Sequence, residues 1–487
     1  MDAETATRSF LPEVEGALPG WQVTPGRDDG DPWISAQPGP EELPDQGWKL
    51  HVSATAESSA EVLHRALEVL AADPTSFKVA GSPAAVEFLN EGLAGLSQIG
   101  KFITVYPRDD EQAVRLAGGL HGATEGLEGP QVPSDRRLRP GSLVHYRYGG
   151  FLERVAYTAT GEPVATIQTA EGEWIQDSRA DRYERPEWLE DPFEAAGVAE
   201  AEPTRAVAGR YTPIATLHRS PRGATFLALD LEGMQTVVVK QAGRGARARP
   251  GQGDARDQLR WEAEVLGRVG SNPRFLSGLD LVEQDGDVYL VLERIEGDPL
   301  GPLVTRAAAS GLIASRDQVI EWGRELAAAI ADLHAGGLVF RDLSPRNVIV
   351  GSDGVPRLID FELAAPIGEA TPDEAVGTVG YASPQQYAGG APAVTDDVYS
   401  LGAVMFLIAT GTDPVFVEED ETFLERSVTA LNPEAGADLA AVIDRCRDPD
   451  PARRFASAAE VANALAALPA AAPSSAAGAG QAPDRNR

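Results

Sequence analysis

Five residues in the second half of the chain stand in a fixed order, and each restricts what can fold around it. Lys240 ends the apolar run TVVVK, which places an amine at the end of a strand. Glu262 lies in LRWEAEVLGRVG, whose apolar spacing is helical, so its carboxylate can pair with that amine. Asp342 and Asn347 share the polar segment FRDLSPRN, which follows the helical pattern AAAIADLHAGG. Asp360 stands in RLIDFELA. Strand, helix, polar loop and acidic strand end, in that order, require a mixed α+β domain. At 487 residues the chain exceeds what one core usually serves, so two or three domains are expected.

Lysine is confined to four positions among 42 Lys+Arg: Lys49, Lys78, Lys101 and Lys240. Arginine supplies the remaining positive charge, and a guanidinium cannot act as a base, whereas a lysine of lowered pKa can. Lys49 and His51 in WKLHVSA are two residues apart on an expected strand and so face one side. Lys78, Lys101, Tyr106 and Arg147 come from other strands and loops. The net charge of −32 argues against nucleic acid and anionic membranes as partners. An anionic substrate must then be gathered by local cationic pockets. The single Cys446 excludes an internal disulfide and a multi-cysteine zinc site, and reads as a core residue. No apolar run spans a bilayer, and the acidic N-terminus lacks a signal pattern, so a cytoplasmic location is expected.

Texture divides the chain into an α+β domain over 1–195, a linker over 196–209, a second domain over 210–468 and a low-complexity tail over 469–487. Residues 1–45 are polar and rich in Pro and Gly, with Trp21 and Trp33 as isolated anchors. The insertion RGARARPGQGDARDQLR carries Arg244, Arg247, Arg249, Arg256 and Arg260. It reads as a mobile solvated loop or, more sharply, as a dock for an acidic leader segment. His64, His121, His145, His218 and His334 read as structural.

The second domain resembles a bilobal protein kinase, on VVVK, FRDLSPRN, RLIDFELA, GTVGYASPQQ and DDVYSLGAVMFLIATG. The resemblance implies ATP or GTP and Mg2+ as cofactors. It makes Lys240 a phosphate grip fixed by Glu262, with Gly223 in the phosphate loop and Glu293 at the hinge. Asp342 becomes the base, Asn347 and Asp360 the metal ligands, and Asp397 a brace for the catalytic loop. The chain departs from the pattern at a loop with one glycine, at Phe340 for His, Ser344 for Lys, Glu362 in DFE and Gln385 in SPQ. Arg346 is a substitute for the missing lysine. Arg341 pairs with a carboxylate or with a phosphorylated Thr371.

The first domain resembles the phosphothreonine lyases that bacteria inject as effectors, on the Lys-x-His pair and the later lysine. WKLHVSATAESSAEVL, GKFITVYP and VHYRYGGF, followed by the kinase motifs, are similar to class III and class IV lanthipeptide synthetases over nearly all of 1–468. This implies Lys78 as base and His51 as acid, with Lys49, Lys101, Tyr106 and Arg147 around the phosphate. The implied activity is a dehydratase that phosphorylates Ser/Thr of a ribosomally made precursor peptide bearing a leader, then eliminates phosphate to dehydroalanine or dehydrobutyrine. The alternative is a Ser/Thr protein kinase whose N-terminal domain is a non-catalytic sensor or recruitment domain. A catalytically silent scaffold is a third reading. The family carries a further cyclase domain for which this chain leaves no room, so either the chain is cut at a domain boundary, or ring closure is done by a separate cyclase or takes place spontaneously.

Overall fold

The computed structural model describes residues 8–26, 31–40, 43–152, 154–158, 161–177, 183–200, 206–248, 253–369, 376–415 and 427–469. Arg249, Thr371 and nearly all of the expected tail lie outside the described residues. Contacts divide the chain into two compact units, residues 1–263 with 278–294, and residues 264–277 with 295–487. The architecture is α+β, as expected.

The N-terminal domain rests on a seven-stranded sheet. Its strands are β1 (Gln22–Pro25), β2 (Trp33–Gln37), β3 (Gln46–Val52), β4 (Ser76–Ala80), β5 (Ile103–Tyr106), β6 (Arg136–Arg137) and β7 (Val144–Gly150). They lie in the order β1-β2-β4-β5-β3-β7-β6. Every pairing is antiparallel. Strand alternation sends Trp48, Leu50 and Val52 to one face, with Phe77, Val79, Ile103, Val105, Val144 and Tyr146 beside them, all buried. Helix α1 (Leu11–Ala17), α2 (Ser59–Ala72), α3 (Pro83–Asn90) and α4 (Asp110–Thr124) share this core. In α2 the buried residues Val62, Leu63, Ala66, Leu67 and Leu70 recur at helical spacing, which makes one apolar stripe. Ser58 at its N-cap makes no side-chain capping bond and instead donates its hydroxyl to the Glu128 carbonyl at 2.6 Å. Residues 1–45 are no mere polar segment either. They supply α1, β1 and β2, and Trp21 packs edge-on against Phe77 at 6.1 Å.

Within the same unit lies a five-stranded antiparallel sheet. It comprises β11 (Tyr211–Ser220), β12 (Gly223–Asp230), β13 (Gln235–Ala242), β14 (Gly278–Gln284) and β15 (Asp287–Glu293), in the order β11-β12-β13-β15-β14. Between the two sheets in sequence come the short strands β8 (Val155–Tyr157), β9 (Pro163–Gln168) and β10 (Trp174–Gln176), which form a sheet of their own. Helix α5 (Ala255–Val269) follows β13.

The second unit is mostly helical. Helix α6 (Arg316–Ala335) precedes the segment FRDLSPRN, and α7 (Val394–Thr410) is buried at nearly every position, as its apolar sequence requires. Among the described residues no helix is long and apolar enough to cross a membrane.

Gly100 shows how backbone shape sets the N-terminal face. Its φ is +75°, and a Cβ there would meet the Gln131 carbonyl oxygen at 2.9 Å. The chain turns at this glycine to bury Lys101 just before β5. Gly100→Ala is expected to destabilise the protein by about 1–3 kcal/mol through strain and overlap. A lowered urea midpoint with unchanged slope would register it.

Candidate active sites

The face of the N-terminal sheet opposite its core carries the charged residues. Register aligns Lys78 with Thr104, Thr104 with His51, His51 with His145 and His145 with Arg137, one row across five strands. The next row pairs Lys49 with Arg147, and Lys49 Nζ lies 6.0 Å from the centre of the Tyr106 ring. Tyr106 packs edge-on against Phe151 at 5.3 Å. Lys78 Nζ stands 3.9 Å from the Trp33 ring centre, so Trp33 of β2 belongs to this face. Lys49, His51, Lys78, Tyr106 and Arg147 therefore share one surface. Lys101 joins them from the loop before β5.

Two carboxylates hold this arrangement. Asp135 is buried and accepts a short hydrogen bond from His51 Nδ1, a second from Ser134 Oγ at 2.7 Å, and lies 3.8 Å from Lys101 Nζ. Lys101 is thus buried and paired rather than solvated. Burial alone would raise the Asp135 pKa, but His51 and Lys101 outweigh it and hold the carboxyl well below its usual range. His51 is pushed down to about 3, first by burial and then by Lys101 and Lys49, against the pull of Asp135. A neutral His51 that donates from Nδ1 keeps its Nε2 for a substrate. Arg147 donates to Asp177 at 2.5 Å, which supplies the anion its apolar strand requires. Neither aspartate is announced by a sequence motif. Asp135 lies in PSDRRLRP, where only its position between a serine and two arginines hints at a charge network.

His145 is structural, as expected. Its Nδ1 donates to the Leu143 carbonyl at 3.1 Å, and its Nε2 accepts from Arg137 Nε at 3.3 Å. The arginine insertion is engaged internally. Arg244 lies 3.5 Å from Glu128 and Arg247 3.8 Å from Glu91, both in the N-terminal domain. Arg256 bonds Asp254 at 2.7 Å, and Arg260 bonds Glu283 at 2.8 Å. These four described arginines face their own carboxylates.

In the five-stranded sheet, Lys240 Nζ donates to both carboxylate oxygens of Glu262, at 2.7 and 2.8 Å. Glu262 is fully buried, so the pair fixes α5 against β13. Glu293 ends β15. Gly223 starts β12 after the two-residue turn Pro221–Arg222, where a Cβ would lie 1.8 Å from the Gln241 carbonyl oxygen. Close strand approach by itself therefore demands this glycine.

In the second unit, Asp342 accepts from Thr378 Oγ1 at 2.8 Å and from Asn347 Nδ2 at 2.7 Å. Its pKa is raised to about 6, first by burial, with the charges of Asp360 and Glu362 adding to it. Asp397 accepts backbone N–H bonds from Phe340 at 2.7 Å and Arg341 at 2.8 Å, and a side-chain bond from His334 Nε2 at 2.9 Å. Arg341 and Asp360 both hold φ of +67°, a strained conformation for residues with a Cβ. Phe340 stacks edge-on against Phe361 at 5.2 Å, and Phe361 against Phe275 at 5.4 Å, so the unusual Phe340 completes an aromatic core. Arg346 is exposed and reaches Thr378 Oγ1 at 3.4 Å. Ser344 Oγ is buried with no hydrogen-bond partner among the described residues. The oxygen donors of Asp360 and Asn347 fit a hard cation such as Mg2+, and Asn347 commits its amide nitrogen to Asp342, which leaves the amide oxygen as the metal-binding end.

Residues 13–205 match the family described as RamC, N-terminal domain, and residues 219–464 match the protein kinase domain. The chain is 32% identical to a probable SapB synthase of Streptomyces coelicolor over 84% of its own length and 44% of that protein. It is 31% identical to serine/threonine-protein kinase C of Synechocystis over 54% of its length and 50% of that protein. It is 27% identical to a probable serine/threonine-protein kinase PknB of Corynebacterium glutamicum, over 54% and 43% respectively. The chain spans about half the length, or less, of these curated relatives. Protein kinases use ATP and Mg2+ in general. The chain belongs to the protein kinase family, and its RamC N-terminal domain ahead of a kinase domain is the pairing of the class III and class IV lanthipeptide synthetases.

Proposed function

We propose that the chain is a peptide dehydratase, in which the kinase domain phosphorylates Ser or Thr of a ribosomally made precursor peptide and the N-terminal domain eliminates the phosphate. The observation that carries this reading is the row Lys78–Thr104–His51, with Lys49 and Arg147 on the same face. A sensor domain has no need for so many basic side chains, with His51 and Lys101 backed by buried Asp135 and Arg147 by buried Asp177.

Bound ATP or GTP with Mg2+ supplies the transferable phosphoryl group. Lys240, fixed by Glu262, would grip the phosphates, while Asn347 and Asp360 would hold the metal. Asp342 would accept the proton of the substrate hydroxyl. Arg346, tied through Thr378 to Asp342, supplies the positive charge that Ser344 lacks.

The phosphorylated side chain carries close to two negative charges. Lys49, Lys101 and Arg147 would surround it. Lys78 as a neutral amine would take the Cα proton, and protonated His51 would protonate the leaving oxygen. His51 is neutral in the free protein, and an arriving dianion favours its protonated form. Asp135 positions the ring through Nδ1.

The deciding experiment is mass spectrometry of a synthetic phosphoserine peptide incubated with the full chain. Wild type is expected to release phosphate and leave dehydroalanine. Lys78→Ala is expected to lose at least about 10²-fold in elimination while still phosphorylating leader-bearing peptide, so that phosphopeptide accumulates. An unchanged phosphopeptide with wild type would leave a protein kinase without lyase activity. Arg346→Ala should lower phosphorylation by about 10²-fold or more, with elimination of added phosphopeptide unaffected. Phosphorylation should also fall about tenfold per pH unit below about 6, because Asp342 must be deprotonated to act as base and its pKa is raised to about 6. Initial rates from pH 5 to 8 would trace that limb.

A further inference from the structure

Thr104 lies at the centre of the cationic face and has no task so far. It stands on β5 directly between Lys78 on β4 and His51 on β3. It is 2% exposed, and its hydroxyl has no hydrogen-bond partner among the described residues. A buried hydroxyl without a partner is costly, and valine would fill the same strand position without that cost. An unpartnered donor midway between two reactive groups is therefore suited to something that arrives.

The reaction names what arrives. Neighbouring strands lie about 4.8 Å apart, so Lys78 and His51 flank Thr104 at one strand spacing on either side. A phosphorylated residue that gives its Cα proton to Lys78 and its phosphate to the His51 side must lay its Cα and carbonyl over β5. The phosphate itself is served by Lys49, Lys101 and Arg147 toward β3 and β7. As the Cα–H bond breaks, the proton passes to Lys78 Nζ and the electron pair spreads onto the substrate carbonyl oxygen. That pair returns to form the Cα=Cβ bond as the Cβ–Oγ bond breaks. The departing phosphate takes the bonding electrons and a proton from His51. Charge at the carbonyl oxygen is transient, and a preorganised neutral donor stabilises it.

Resting on the elimination reading above, we propose that Thr104 Oγ1 donates a hydrogen bond to the carbonyl oxygen of the phosphorylated residue as that oxygen takes up enolate charge. Thr104 is thus a catalytic residue of the N-terminal site.

The test uses the full chain and a synthetic phosphoserine peptide. Thr104→Val keeps the shape and removes the hydroxyl. It should lower kcat for elimination by about 10²-fold, with KM nearly unchanged, because the contact belongs to the transition state. Thr104→Ser should recover most of the rate. With a peptide deuterated at Cα, the isotope effect on kcat should increase in Thr104→Val as proton removal becomes slower. If Thr104→Val melts early, Thr104→Ala replaces it in the same comparison. Wild-type kcat in the valine or alanine variant would overturn the proposal and leave the elimination reading standing. So would a raised KM with unchanged kcat, which would put the hydroxyl on the bound phosphate, or a serine variant no faster than valine. Absence of elimination by wild type would instead remove the elimination reading, and this proposal with it.

Discussion

Buried positive charge has to be compensated where it sits, and this chain meets that constraint with carboxylates from distant segments. Asp135 serves Lys101 and orients the neutral His51, Asp177 serves Arg147, and Glu262 serves Lys240. Without such partners the cations would be pushed out to solvent or lose their protons. Breaking one buried pair typically costs about 3–5 kcal/mol, because the remaining charge is stranded. The carboxylates therefore do more than neutralise. They fix where each of these nitrogens points, and they hold the basic groups in place.

The kinase domain applies the same economy to its backbone. Asp397 reaches from a buried helix to two consecutive N–H groups of the catalytic loop, and the adjoining Arg341 carries an unfavourable φ. Strain of this kind persists only where the surroundings over-determine it. The departures from the usual kinase pattern acquire physical sense in that frame. Phe340 is an aromatic neighbour of Phe361, so the missing histidine is replaced by packing. Gly223 is required by strand approach, whatever else the phosphate loop does.

Much of the N-terminal site was legible because a strand encodes its two faces by alternation. Trp48, Leu50 and Val52 against Lys49 and His51 tell which residues share a side, and the structure places them so. The kinase residues were legible because their chemistry recurs in a characteristic order. Asp135, Asp177 and Thr104 were not legible. An aspartate in a loop or a threonine in a strand is ordinary until a neighbour from another segment gives it a role. The insertion misled for the same reason. Five arginines in an acidic chain look available, yet Arg256 pairs with Asp254 inside the insertion, and Arg244, Arg247 and Arg260 meet Glu128, Glu91 and Glu283, which sequence distance conceals. Strands β1 and β2 were missed because they are only four and five residues long, β1 lies at the sheet edge with no buried residue, and β2 buries only Ile34 and Ala36.

Taken alone, the sequence determined the two domain types, the strand faces and the candidate nitrogens and carboxylates, since these depend on local periodicity and side-chain chemistry. Tertiary structure alone decided the strand order that brings Lys78, Thr104 and His51 into one row, and which carboxylate meets which cation. Pairing between strands far apart in the chain is set by how the whole core closes, and no local pattern carries that information.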